Sequence, residues 1–361
     1  MLTIIPVFFA FADENILKVL VWEGYTPDAY IHQFEEEIKS KYGIPLKMDI
    51  SYALSDDDFF NLARDKKIDL ITLSHYSIKG RQFEYILKGI ILPLNVKNIP
   101  NYTGLIPDLM DADYDTSNGK IYGIPVGNGP YGLAYNTKAF RQAPQSWKIF
   151  WNPAYKNKYA IGRDEYIYNI SITAMMMGYT RDMISSFDAL NNKEFKEKLR
   201  QLAVNAGSFW VGIDRPEDLL GMSFAMAWGD SLTPLKRIGE KWKMAHPAEG
   251  TMWWIDEYAI TWALADKPLL KKIAEEWINK SLSSDFQMNH IKGELRAYPV
   301  VTHFKKKGLA KGKTAFEINP ATDLSHGKRI LRHTYSQRDT NGLKLMWDKA
   351  MEGVSTKRVE Q

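Results

Sequence analysis

Two short segments set indole rings close to a carboxylate: Ala225-Met226-Ala227-Trp228-Gly229-Asp230 and Met252-Trp253-Trp254-Ile255-Asp256. Alternate side chains of an extended strand share a face, so Trp254 and Asp256 point one way while Trp253 and Ile255 turn to the core. A ring face attracts a cation through its quadrupole, by ~0.5–2 kcal/mol per contact, and an adjacent carboxylate completes a site for an organic ammonium. A core tryptophan next to a capping aspartate gives the same pattern, and these residues alone leave the two open.

Other chemistries find little support. The sequence has no P-loop, no G-x-S-x-G, no H-E-x-x-H and no G-x-G-x-x-G after a strand, so no catalytic residues are assigned and no cofactor is expected. Cysteine is absent, and the seven histidines (positions 32, 75, 246, 290, 303, 326 and 333) include no helical pair, so no metal site is expected. His75 falls in a strand-end loop, where a lone histidine serves as a hydrogen-bonding scaffold; His290 is expected at the surface. Gly127-Asn128-Gly129 is too short to cradle a phosphate and reads as turn chemistry.

The chain has 361 residues, 45% hydrophobic and 25% charged, a globular composition and enough for two or three domains. A net charge of +4, spread without a basic stripe, does not point to nucleic acid. Aromatic content is the one excess, with 11 Trp, 19 Tyr and 16 Phe, and aromatic surface is what holds a small organic ligand. Leu2 to Ala12 carries no charge and ends in Ala10-Phe11-Ala12 before Asp13-Glu14-Asn15. This resembles the apolar region and small-residue cleavage site of a secretory signal, although no basic residue precedes it. Cleavage after Ala12 and a free periplasmic protein are expected, and no later stretch is long and apolar enough to cross a bilayer.

The elements that would position the aromatic and acidic residues follow from periodicity. Ile16–Trp22 reads as a strand and Asp28–Tyr42 as a helix. Leu46–Ser51 resumes extended character, Asp56-Asp57-Asp58 caps a helix through Arg64, and Ile68–Leu73 is a third strand. This βαβαβ order implies a parallel sheet with helices on both faces, with ligands beyond the strands' carboxyl ends, here the loops Trp22–Tyr25 and Ser74–Tyr76. Tyr122–Val126, the glycine-rich run and Tyr131–Tyr135 suggest a crossing between lobes. Helices are expected at Ile167–Met177 and Asn192–Ala206, a buried segment at Leu219–Trp228, and a strand at Trp253–Thr261. An amphipathic helix at Leu269–Ser281 carries Glu275, Glu276 and Lys280 on its polar side, and a last helix lies near Leu343–Met351.

In several places the sequence resembles the polyamine (spermidine/putrescine)-binding proteins of bacterial ABC importers, within extracellular solute-binding protein family 1. The likeness spans roughly Ile16 to Phe304. It rests on Val21-Trp22-Glu23-Gly24-Tyr25, on Asp69 to Tyr76, on Tyr122-Gly123-Ile124-Pro125, and above all on Ser146-Trp147-Lys148-Ile149-Phe150-Trp151-Asn152-Pro153-Ala154-Tyr155-Lys156. Met226-Ala227-Trp228, Trp254-Ile255-Asp256 and Ala297-Tyr298-Pro299 follow in the family's order.

The resemblance implies an α/β protein of the type II periplasmic binding fold: two lobes joined by two or three crossing hinge strands, closing on a ligand in the cleft between them. The lobes would be residues 13–123 plus 253–302 and 124–252 plus 303–361, with 1–12 the signal remnant. It implies a monomeric, non-catalytic receptor that hands an amine-bearing solute to an ABC permease. By position, Trp22, Tyr25, Ser74, Tyr76, Trp228, Trp254 and Tyr298 would line the cleft, with Asp230 beside Trp228 and with Asp164 and Asp256 facing the amine ends. Where the family's polyamine binders place a second acid, three residues past Asp164, this chain has Ile167. Glu165 and Arg163 flank Asp164, and with that acid missing a shorter diamine, a monoamine, or a zwitterion whose carboxylate meets Arg163 or Arg296 competes with spermidine as ligand. A quaternary amine, or a sensor feeding a membrane signalling protein, is the alternative the fold leaves open.

Overall fold

The computed structural model describes residues 15–354 apart from 111, 230, 296, 303–328 and 333. The expected cleavage site, Asp230 and Arg296 lie outside the described residues.

Strand β1 (Ile16–Val21) pairs in parallel with β2 (Lys47–Tyr52) on one side and β3 (Leu70–Ser74) on the other. Helix α1 (Asp28–Tyr42) connects the first pair, burying Ile31, Phe34 and Ile38 on one stripe and ending on a left-handed Gly43. Helix α2 (Asp56–Arg64) connects β2 to β3. Its cap is Ser55 rather than the acidic run: the Ser55 side chain accepts from Asp58 N–H while the Asp58 carboxylate reaches back to the Ser55 N–H. Both faces of this sheet are covered. Leu17, Val19 and Val21 pack into one core with Phe34 and Trp277, while Leu20, Ile71 and Leu73 pack into another with Phe59 and Tyr85. With both faces covered, β3 is buried at every position, the polar Thr72 and Ser74 included.

After β3 come the short helix α3 (His75–Ile78), β4 (Ile91–Leu92) and the hairpin of β5 (Thr116–Ser117) with β6 (Lys120–Ile121). Next is β7 (Ile124–Asn136), a single strand through Gly127, Asn128, Gly129 and Pro130, which corrects the turn expected there. The remaining strands are β8 (Tyr159–Gly162), β9 (Ser208–Trp210), β10 (Phe224–Ala227), β11 (Trp242–Ala245), β12 (Thr251–Thr261) and β13 (Arg329–Leu331). The large sheet runs β2-β1-β3-β12-β7-β10-β8-β9, with β11 also on β7 and with β4 and β13 on β12.

β7 and β12 are the crossings. Ile124–Tyr131 pairs antiparallel with β12, whose other edge holds β3; Gly132–Asn136 pairs with β10 and β11 in the second lobe. That lobe has its own core around Tyr131, Trp147, Tyr159, Trp210 and Phe224, packed beneath helix α4 (Tyr166–Met176) and the helices Lys193–Val204 and Gln337–Met351. The chain makes a third passage at its end, from β13 in the first lobe's sheet to the Gln337–Met351 helix on the second lobe.

Two polar residues are placed differently from expectation. Glu275 is buried, bound to Lys271 Nζ at 2.5 Å and accepting from Asn95 N–H at 2.9 Å. His290 is 4% exposed: Nε2 lies 2.6 Å from Gly24 O and Nδ1 2.7 Å from Glu294. Both are tied to loops that an amphipathic pattern does not register, and these partners offset the cost of burying a polar group.

Candidate functional site

Asp256 stands on β12 directly opposite Ser74, the last residue of β3. Its two carboxylate oxygens accept from the Tyr25 hydroxyl and the Ser74 hydroxyl, each at 2.7 Å. Burial lifts its pKa to about 6, with the two hydroxyl bonds working the other way and the Asp56 charge adding to the rise. No lysine or arginine pairs with it among the described residues. Tyr25 and Ser74 come from the carboxyl ends of β1 and β3, where an α/β sheet presents its ligand site.

Glycines in β7 make room for this wall. A Cβ on Gly129 would lie 2.7 Å from the Trp254 ring, and one on Gly127 would lie 3.3 Å from the Tyr25 hydroxyl. Glycine inside a strand marks such close approach. Trp254 is half-buried, and its Nε1–H has no hydrogen-bond partner. Trp22, also half-buried, packs edge-on against Phe59 at 4.8 Å. Tyr76 donates to Asp56 at 3.2 Å, at the start of α2.

The facing wall belongs to the second lobe. Trp228 packs edge-on against Tyr131 at 4.6 Å and Tyr168 at 5.0 Å, with Trp210 at 6.3 Å. Its loop is fastened by buried Asp214, which accepts from the backbone N–H groups of Trp228, Gly229 and Ser231 at 2.7–3.0 Å. Asp164 is exposed and so is Arg163. The acid turned toward Tyr131 and Tyr168 is Glu165, whose pKa burial raises to about 8 against the pull of Arg332. Ile167 is 2% exposed within the lobe's apolar core, so a carboxylate there would be buried among aliphatic side chains instead of entering the cleft. Tyr298 lies on the Trp253 side of β12, its ring stacked on Trp253 at 5.5 Å and 7°, and is not gathered with Asp256.

The group joining the walls is Arg332, one residue beyond β13. Its guanidinium carbon sits 3.6 Å from the centre of the Tyr76 ring and 5.6 Å from that of Tyr168. His75 fastens its backbone: Nδ1 accepts from Ile255 N–H at 3.3 Å, which leaves Nε2–H to donate to Arg332 O at 3.1 Å. His75 is thus a scaffold residue.

With this geometry in view, the sequence profile of the family described as bacterial extracellular solute-binding protein matches residues 65–319. The chain belongs to that family. The solute-binding protein is 24% identical over 256 residues, 69% of its own length and 68% of the other's, to a spermidine/putrescine-binding periplasmic protein of Salmonella typhimurium. In structure it is similar to a putative spermidine/putrescine ABC transporter protein of Listeria monocytogenes (TM-score 0.72, 18% identity, 94% and 99% of the two chains covered). A spermidine/putrescine substrate-binding protein of Streptococcus pneumoniae matches at TM-score 0.72 and 16% identity, over 93% and 98% of the chains. These likenesses establish the two-lobe periplasmic-binding fold for the receptor.

The sequence alone did not single out Asp56, Tyr131, Tyr168, Asp214 or Arg332. Asp56 carries a usable pointer, since it follows β2 as Tyr25 and Ser74 follow β1 and β3. Arg332 carries none, because its contacts are set by chain segments more than 160 residues away.

Proposed function

We propose that this protein is an exported, non-catalytic, monomeric receptor that captures a small molecule bearing a primary ammonium and presents it to an ABC permease. Its lobes follow the expected division, 13–123 plus 253–302 against 124–252 plus 303–361, except that β13 joins the first lobe's sheet, and they close on the ligand along β7 and β12. The separate cores on either side support that division. Family membership supports solute capture, and the polyamine-binding relatives support an amine as its chemistry.

One observation carries the choice: Asp256 is desolvated, held by two neutral hydroxyls and lacking a cationic partner among the described residues. A buried carboxylate costs several kcal/mol unless paired, and a ligand ammonium supplies the pair while Trp254 and Trp22 cover its methylenes. Calorimetric titration with putrescine, γ-aminobutyrate and related amines tests this. Asp256→Asn should weaken binding at least tenfold, about 1.4 kcal/mol, and Trp254→Ala should cost ~0.5–2 kcal/mol of lost cation–π attraction, plus lost packing. Should both variants melt normally and bind within twofold of wild type, Asp256 is not the ammonium site.

A further inference from the structure

Resting on the amine-receptor reading, we propose that Arg332 is a fixed cation of the cleft that selects a zwitterion, its ammonium on Asp256 and its carboxylate on Arg332. The guanidinium lies flat on Tyr76 of the first lobe and within cation–π range of Tyr168 of the second, so it occupies aromatic surface that a second ligand ammonium would otherwise use. Arginine stays charged at any physiological pH. A polyamine entering here meets a resident positive charge when it tries to bury an additional nitrogen.

The acids around the cleft do not reverse this. Asp56 and Glu165 are the carboxyl groups whose pKa values Arg332 pulls down, whereas Asp256 is untouched by it and is moved by Asp56 instead. Arg332 therefore acts on Asp56 and Glu165 and leaves the Asp256 carboxylate to an ammonium. Register agrees: Leu331 pairs with Trp253 of β12, so Arg332 stands level with Trp254, two residues short of Asp256.

Hydrogen-bonding capacity supplies an independent reason. The buried Nε–H of Arg332 and the buried Nε1–H of Trp254 both lack an acceptor among the described residues, and orphaned buried donors are rare because each costs a lost hydrogen bond. Protonated amines carry donors only and satisfy neither group. A carboxylate brings the acceptors that both groups lack and matches the arginine fork.

The test is calorimetry with β-alanine, γ-aminobutyrate and 5-aminovalerate against putrescine and spermidine, on wild type, Arg332→Gln, Arg332→Lys and Asp256→Asn. The best amino acid of the series should bind wild type at least tenfold more tightly than either polyamine. Arg332→Gln should invert that order, and Arg332→Lys should keep it. Ratios within one variant cancel any general loss of stability. A wild type that prefers putrescine, or a ratio unmoved by Arg332→Gln, overturns the proposal; if putrescine binding is then still abolished by Asp256→Asn, the amine receptor stands and only the role of Arg332 falls. If no amine of the panel binds wild type, both fall together.

Discussion

Asp256 and Glu165 are carboxyl groups that folding makes harder to ionise, and this has a sign. Asp256 ionises near its ordinary value of 3.8 in the unfolded chain but at about 6 in the fold. Between those limits the folded state binds more protons, so its contribution to stability is present at low pH and lost as pH rises through the window, by up to about 3 kcal/mol. The difference in melting temperature between wild type and Asp256→Asn should accordingly shift in favour of the variant from pH 4 to pH 7. Capture of an ammonium needs the ionised form, so affinity should rise at least tenfold from pH 5 to pH 7 in wild type and stay flat in the variant. Glu165, held neutral to about pH 8, behaves differently: Glu165→Gln should bind ligand within twofold of wild type at pH 6.5 and diverge from it above pH 8.5. Parallel affinities across the whole range would show that Glu165 is charged throughout.

The elements show which features the sequence discloses. α1, α2 and the Lys193–Val204 helix lie close to where apolar spacing and caps place them, and the alternation of Trp253, Trp254, Ile255 and Asp256 assigns the faces of β12, because a strand's period is fixed by its backbone. β7 was illegible for the opposite reason. Its glycines look like punctuation, yet they serve the neighbouring strand by letting the Trp254 ring and the Tyr25 hydroxyl approach, and no local pattern encodes a neighbour more than a hundred residues away. Gly129→Ala tests that account. The added methyl must displace the Trp254 ring, so ligand affinity should drop at least fivefold, with a stability loss of about 1–3 kcal/mol; an unchanged affinity would mean that the ring's position does not matter. The structure leaves Asp164 exposed while its neighbour Glu165 turns toward Tyr131 and Tyr168, and it stacks Tyr298 on Trp253 instead of gathering it with Asp256; a one-residue offset on a strand or turn is what decides such placements.

At the scale of the whole molecule, three passages join the lobes among the described residues, and the third delivers Arg332 between Tyr76 and Tyr168. Fastening this passage through His75 should couple ligand capture to lobe movement: His75→Ala is expected to weaken amino-acid binding about tenfold while leaving the melting temperature within a few degrees, as read by calorimetry and circular dichroism. If affinity is unchanged, the His75 bond does not hold the arginine in place. The crossings also impose an order of assembly. β3 is buried at all five positions, yet its partner β12 brings Asp256 to Ser74 across 182 residues of sequence, and all of the second lobe's strands and most of its helices are made in between. During synthesis β3 therefore presents an unpaired edge until β12 is made, the kind of edge that templates aggregation, and such distant pairing is slow. In pulsed hydrogen exchange the amides of β8 and β10 should gain protection before those of β3, so the last event in maturation is also the one that builds the ligand site.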